Sequence, residues 1–96
     1  MTAERIAAIR QRLEAALAPQ QLDVVDEGHK HIGHGGEGQG HFRVRIVSVA
    51  FAGRNAIARH RMVYAAVEDL IGHGIHALAI EARTPAEAGS QHDNVV

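Results

Sequence analysis

The segment HFRVRIVSVAF, residues 41–51, decides how the rest of the chain can fold. Its first half alternates apolar side chains with arginines, in the order Phe42, Arg43, Val44, Arg45 and Ile46. A period of two is typical of a β-strand that buries one face and exposes the other to water. The sequence therefore predicts a strand with one hydrated face at this point.

A second strand is predicted upstream, where LDVVD (22–26) alternates in the same way. Residues 27–40, between the two strands, are rich in glycine and histidine and too poor in apolar side chains to fold alone. A loop of this length without its own structure is usually functional or disordered. We therefore predict an antiparallel hairpin whose strands are joined by a flexible Gly/His loop.

Helices are predicted on both sides of this hairpin. Residues 2–19 repeat apolar side chains at helical spacing, and Thr2 and Pro19 suit the two helix ends. After Gly53, a helical period from Ile57 to Ile71 predicts a helical pair that stops at Gly72 or Gly74.

A third strand, IHALAIEA (75–82), follows, and its apolar run favours an internal position in the sheet. Because helices connect it to the second strand, those two strands should be parallel. The order α-β-β-α-α-β predicts one α+β domain over residues 1–84, with a three-stranded mixed sheet covered by helices on one face. The polar residues 85–96 have too little apolar surface to join the core, so we expect a disordered tail.

The composition excludes several classes of function. The 96 residues contain no cysteine, which rules out a disulfide framework and a self-contained thiolate metal site. Ten basic and eleven acidic side chains give a formal charge of −1, which argues against general attraction to nucleic acids. No apolar run approaches the ~20 residues of a membrane span, and no pattern indicates a catalytic nucleophile or paired carboxylates. We expect a cytoplasmic, non-enzymatic protein without a membrane partner.

The loop between the first two strands carries histidines at positions 29, 31 and 34, and His41 stands at the head of the second strand. Imidazole binds transition metals, and His29 and His31 are close enough in sequence to share an ion. A flexible loop must be ordered on binding, which weakens a site made from it alone. A mononuclear metal-binding loop and a solvated loop that merely carries histidines are therefore both open interpretations.

His76 differs from the loop histidines because it lies at the start of a predicted strand, where a ligand can be held in fixed geometry. Together with one loop histidine it would fill half of a tetrahedral shell, so a second molecule would have to supply the other ligands. Taken alone, a histidine in this position is more often satisfied by a backbone hydrogen bond.

A local basic patch is the second candidate site, formed by Arg54, Arg59, His60 and Arg61. Such a cluster at a helix junction could contact the phosphates of DNA. A solvated helix face with ordinary ion pairs is the alternative.

These segments together resemble the BolA family. The runs that carry the resemblance are LDVVDEGHKHIGHGG, GHFRVRIVSVAF with Gly53, ARHRMVY and GIHALAIEARTP. They cover roughly residues 4 to 87, and RHR followed at this distance by HAL is a specific combination. The resemblance implies a class II KH-like fold, which agrees with the predicted order of elements.

The resemblance also implies a function. Proteins of this family pair with monothiol glutaredoxins and share a [2Fe-2S] cluster with them, in iron-sulfur trafficking or iron and redox regulation. The resemblance further implies that His76 and one loop histidine are ligands of the cluster. Glutaredoxin cysteine and glutathione would supply the sulfur ligands, so this chain would hold no cluster alone. We expect His34 to be the loop ligand, with His31 and then His29 as the next choices.

Some members of the family regulate transcription in the stress response by binding DNA. The resemblance places that alternative function on the helical segment with Arg54, Arg59, His60 and Arg61. Salt separates the two functions, because a phosphate-bound complex weakens steeply as salt rises.

Overall fold

The computed structural model describes residues 2–27 and 40–93. Three α-helices and three β-strands form the fold, together with two short 3₁₀ turns at Val49–Phe51 and Glu68–Leu70. In chain order, the helices and strands are α1 (Thr2–Leu17), β1 (Gln21–Asp26), β2 (His41–Val47), α2 (Ala56–Ala66), β3 (Ala77–Arg83) and α3 (Pro85–Asp93). The predicted α+β class and the mixed three-stranded sheet are confirmed.

The three strands form one sheet in the order β1-β2-β3. β1 pairs with β2 in the antiparallel direction, and β2 pairs with β3 in the parallel direction with His41 opposite Ala77. Both directions agree with the prediction. The predicted internal position of the third strand is wrong, because β2 lies in the centre and β3 forms an edge.

The exposed edge of β3 is bonded to side chains of α2. The hydroxyl of Tyr64 accepts a hydrogen bond from the Leu78 N–H at 3.2 Å and donates to the Leu78 carbonyl at 3.3 Å. Arg59 donates to the carbonyl of Ala82 at 3.1 Å. These contacts satisfy backbone groups that could otherwise pair with another strand. An apolar strand such as β3 can therefore lie at the edge of the sheet.

The core lies between one face of the sheet and the helices. Phe42, Val44 and Ile46 are at most 2% exposed, whereas the arginines between them lie on the opposite, hydrated face. The other buried apolar side chains are Ile9, Leu13, Leu17, Phe51, Val63, Val67 and Ile75. Each large apolar side chain contributes roughly 1.5–3 kcal/mol when it leaves water, and together they anchor α1 and α2 against the sheet.

The predicted helical pair is only partly present. α2 ends at Ala66, and the rest of the predicted helical run forms the 3₁₀ turn Glu68–Leu70. The side chain of Asn55 accepts a hydrogen bond from the Ala58 N–H at 2.8 Å, which explains where α2 begins. Only one of the two predicted helices is therefore an α-helix, and the remaining helix of the fold is at the C-terminus.

The prediction of a disordered tail is wrong for Pro85–Asp93, which forms α3. Thr84 and Glu87 form a reciprocal capping box, in which the Thr84 N–H donates to the Glu87 carboxylate and the Glu87 N–H donates to Thr84 Oγ1. Pro85 suits the first helical position because it has no N–H to satisfy. α3 also contacts β3, so the folded unit extends beyond residue 84.

Candidate functional site

His76 directly precedes β3 and has an exposed side chain. Its backbone N–H donates to the carbonyl of Gly40 at 2.8 Å, and the N–H of Ala77 donates to the same carbonyl at 3.1 Å. The main chain of His76 is therefore held at the end of the β2–β3 pair while its imidazole is accessible to a ligand. This agrees with the sequence expectation that His76 sits on a rigid element.

Gly40 packs directly against the ring of His76. Its φ angle is +78°, a backbone conformation that residues other than glycine rarely adopt. A Cβ at this position would lie 2.6 Å from Cδ2 of His76 and 2.9 Å from the carbonyl oxygen of Gly74. Gly40 therefore permits the close approach that positions His76. Sequence analysis assigned it to the flexible loop and missed this role, although its position immediately before β2 was a signal.

The loop between β1 and β2 begins and ends at the same end of the sheet as His76. The N–H of Glu27 donates to the carbonyl of His41 at 2.9 Å, which closes the hairpin, and His41 lies opposite Ala77 on β3. The candidate ligands His29, His31 and His34 lie outside the described residues. Their loop is nevertheless attached at Glu27 and Gly40, and Gly40 contacts His76.

The described residues do not form a complete metal site. Within 2–27 and 40–93, no group of three or more histidine, cysteine, aspartate or glutamate side chains could hold a metal ion. His76 therefore offers one nitrogen donor from a rigid position. A metal centre at this point requires further ligands from the adjoining loop or from a second molecule.

The predicted basic patch is divided by the structure. The side chain of Arg59 is only 14% exposed, and its guanidinium pairs with both carboxylate oxygens of Glu87, at 2.7 and 3.0 Å. It also donates to the Arg54 carbonyl and lies over the ring of Phe51. The ion pair with Arg59 and the N–H of Thr84 lower the pKa of Glu87 to about 2. Arg59 thus joins α2 to α3, and Arg54, His60 and Arg61 are the exposed members of the patch.

A groove of about 430 Å³ runs between this patch and the edge of β3. Arg54, Arg59 and His60 contribute positive or titratable groups to its lining, but Glu81 and Glu87 contribute carboxylates. Phosphate groups are repelled by carboxylates, so the groove has a mixed character and is not a simple anion channel.

The hydrated face of the sheet carries compensated charges. Arg43 pairs with Glu27 at 2.7 Å and with Glu81 at 3.4 Å, and Glu81 also pairs with Arg45 and Arg83. The hydrogen bond to Glu27 is the main reason why the pKa of Arg43 is raised. These arginines already have carboxylate partners, so this face is not a second basic surface.

Comparison with known proteins identifies relatives of the whole fold. The family model "BolA-like protein" matches residues 13–87. BolA-like protein 1 of Homo sapiens is 47% identical over 84% of this chain. The DNA-binding transcriptional regulator BolA of Escherichia coli is 37% identical over 91% of this chain and 82% of its own length.

Among solved structures, the BolA domain of SufE1 from Arabidopsis thaliana superposes with a TM-score of 0.78 at 46% identity. The superposition covers 86% of this chain and 94% of that domain. The chain spans 58% of the human relative and 23% of the chloroplastic/mitochondrial SufE-like protein 1 of Arabidopsis thaliana. Within the described residues, no helix is long and apolar enough to cross a membrane.

Proposed function

Since the chain belongs to the BolA family, we propose that it is a non-enzymatic adaptor that pairs with a monothiol glutaredoxin. In this proposal the two proteins share a [2Fe-2S] cluster in iron-sulfur trafficking or in iron and redox regulation. His76 and one loop histidine are the ligands from this chain, and glutaredoxin cysteine and glutathione supply the sulfur ligands. We expect the pair to act in the cytoplasm.

The observation that carries the proposal is the placement of His76. Its imidazole is exposed at the end of the sheet where the histidine-rich loop is attached, while its backbone is bonded to Gly40. A side chain at position 40 would collide with the ring of His76, so the contact between these two residues requires glycine there.

The donor set fits a shared centre better than a resident one. The chain has no cysteine, and its described residues contain no group of three metal-binding side chains. Soft thiolate ligands, which iron-sulfur clusters require, must therefore come from another molecule. The cluster, when bound, supplies one-electron chemistry together with transferable iron and sulfide. The role of this chain's residues is to donate nitrogen ligands from one side and to hold His76 in a fixed position.

For the ligand from the loop, we keep the ranking of the three histidines that the sequence analysis gave. His34 is the first choice, His31 the second and His29 the third. Each belongs to the loop that ends at Gly40, so each is connected through a short length of chain to the residue that contacts His76.

The test is reconstitution of the full chain with a monothiol glutaredoxin, glutathione, iron and sulfide, followed by visible circular dichroism and iron analysis. We expect the wild-type chain to change the spectrum of the glutaredoxin cluster, and His76→Ala to abolish that change. His34→Ala, His31→Ala and His29→Ala then identify the loop ligand. His60→Ala is the matched control, because His60 is an equally exposed histidine on the remote helix α2. A wild-type chain without effect on the spectrum would refute the proposal.

The same preparation distinguishes the shared cluster from a mononuclear metal site on the loop. It would bind one metal ion per chain in the absence of glutaredoxin and would not require the sulfur ligands. Metal retained by the isolated chain at that ratio, with no spectral change on adding the partner, would favour this alternative.

DNA binding is the second candidate function, and two observations favour it. A relative that is similar over 91% of this chain is named a DNA-binding transcriptional regulator. Arg54, His60 and Arg61 are also exposed on one segment. Arg59 is omitted from this surface because it is bonded to Glu87 and to backbone carbonyls. We expect a double variant, Arg54→Gln with Arg61→Gln, to weaken DNA binding and to reduce its dependence on salt.

A further inference from the structure

A cleft of about 250 Å³ lies beside the segment that leads to His76. It is formed between the first turns of α1 and the turn that precedes β3. Its lining consists of Glu4, Arg5, Ala8, Leu70, His73 and Ile75. The cleft therefore combines an apolar floor with charged or titratable groups at its rim.

Arg5 is the unusual member of this lining. Its side chain is half-buried, and it makes no hydrogen bond or ion pair with any part of the chain that the structure describes. Arg54 and Arg61 are also unpaired within that part, but both are exposed to solvent. An arginine carries five N–H donors, and none of those of Arg5 is bonded to an acceptor within the described residues. The positive end of the α1 dipole opposes a cation at this position.

The side chain of Arg5 is held in place by the turn before His76. Its Nε, Cδ and Cγ atoms lie 3.2, 3.5 and 3.6 Å from the position of a Cβ on Gly74. Backbone hydrogen bonds from Gly72 to Ile75, and from His73 and Ile75 to Leu70, fix this turn. Arg5 therefore packs on a defined surface instead of extending freely into solvent.

Gly74 connects the cleft to the candidate metal ligand. It contacts Arg5 on one side, and its carbonyl oxygen approaches Gly40 on the other. Only Ile75 lies between Gly74 and His76, so the Cα atoms of those two residues are at most about 7.6 Å apart. The cleft therefore lies beside the segment that a molecule bringing ligands to His76 would approach.

We propose that the cleft receives an acidic side chain of the partner protein that shares the metal centre at His76. This inference rests on the proposed function. The guanidinium of Arg5 would pair with the carboxylate, and Leu70 and Ile75 would contact the methylene groups that carry it. Glu4 also lines the cleft, but it already has an interaction of its own, and no ion pair joins it to Arg5 within the described residues.

The experiment measures binding of the full chain to a monothiol glutaredoxin without metal, by titration calorimetry at two salt concentrations, first without and then with glutathione. We expect Arg5→Gln to weaken binding about tenfold, in the range of an interfacial charge pair that loses one partner. Raised salt should weaken the wild-type complex more than the Arg5→Gln complex. Arg61→Gln is the matched control, because Arg61 is an exposed arginine on helix α2 that has no partner within residues 2–27 and 40–93 and does not line the cleft.

The thermal midpoint of Arg5→Gln should be no lower than that of the wild type, because Arg5 has no bonded partner among the described residues to lose and its charge opposes the dipole of α1. Wild-type affinity of Arg5→Gln would overturn the inference. A loss that appears only when glutathione is present would also overturn it, because the carboxylate would then belong to glutathione. In both cases a cluster spectrum that depends on His76 would leave the proposed function standing. A wild-type chain that does not bind the partner would overturn both.

Discussion

Replacing Gly40 with alanine should destabilise the protein and displace His76, and the structure separates two contributions to this effect. The first is conformational, because alanine at φ +78° is in the left-handed region. This costs about 1–2 kcal/mol. The second is steric, because the new Cβ would lie 2.6 Å from His76 Cδ2, 2.8 Å from His76 N and 2.9 Å from the Gly74 carbonyl oxygen.

The steric contribution cannot be relieved by a simple side-chain rotation. Two of the three atoms belong to the backbone, and both are held in the turn and strand pairing around His76. Overpacking of this kind costs about 1–3 kcal/mol. The total loss expected for Gly40→Ala is therefore about 2–5 kcal/mol. For a domain of this size, that corresponds to a decrease in the thermal midpoint of at least about 8 °C.

Gly53→Ala is the matched control for this prediction. Gly53 has a φ angle of +75°, but no atom lies within 4 Å of a Cβ built on it. It should lose only the conformational contribution of about 1–2 kcal/mol. Urea denaturation of both variants measures the difference directly. Equal losses of unfolding free energy in the two variants would refute the reasoning, because the contact with His76 would then have no energetic weight.

Three further predictions follow from individual hydrogen bonds. Ser48→Ala should lower the unfolding free energy by about 2 kcal/mol in urea denaturation, because the fully buried hydroxyl donates to the Leu17 carbonyl at 2.6 Å; a loss below about 0.5 kcal/mol would contradict this. Tyr64→Phe should speed amide exchange at Leu78 while core amides are unchanged, and unchanged exchange at that amide would count against the edge contact. Glu87 has a folded pKa of about 2, below the ordinary value of 4.5, so its stabilisation of the fold is present above pH 4.5 and is lost as pH falls toward 2. Glu87→Gln should therefore have a lower thermal midpoint than wild type at pH 6 and the same midpoint near pH 2, whereas a constant difference would exclude this linkage.

The parts of the fold that were predicted correctly depend on local periodicity. The alternation of Phe42, Val44 and Ile46 with arginines identified β2 and its buried face, because a strand turns successive side chains to opposite sides. The antiparallel and parallel pairings followed from the loop and the helical connection on either side of it.

The errors came from features that depend on contacts between distant segments. β3 has an apolar sequence that is typical of an internal strand, but Tyr64 and Arg59 protect its edge from another element. The polar C-terminal segment forms α3 because Thr84 caps it and Arg59 holds Glu87. The capping pattern T-x-x-E was present in the sequence, whereas the ion pair across the fold was not visible there.

The candidate site residues also include one that the local sequence identified and one whose contacts only the fold revealed. His76 was identified from its position before a strand, which is a local property, and its exposure agrees with that assignment. Arg59 was grouped with Arg54, His60 and Arg61 because they are close in sequence. In the fold its guanidinium is bonded to Glu87 and to backbone carbonyls, so it is separated from the exposed cations.

The sequence by itself determined the three strands, the first two helices, the absence of thiolate ligands and the presence of a histidine at the start of the third strand. These properties depend on residue type and on spacing along the chain. Only the tertiary structure decided that Gly40 packs against His76, that Arg59 joins two helices and that Arg5 is left half-buried beside the same turn. Such relations arise from the close packing of segments that are far apart in the chain, and local periodicity carries no information about them.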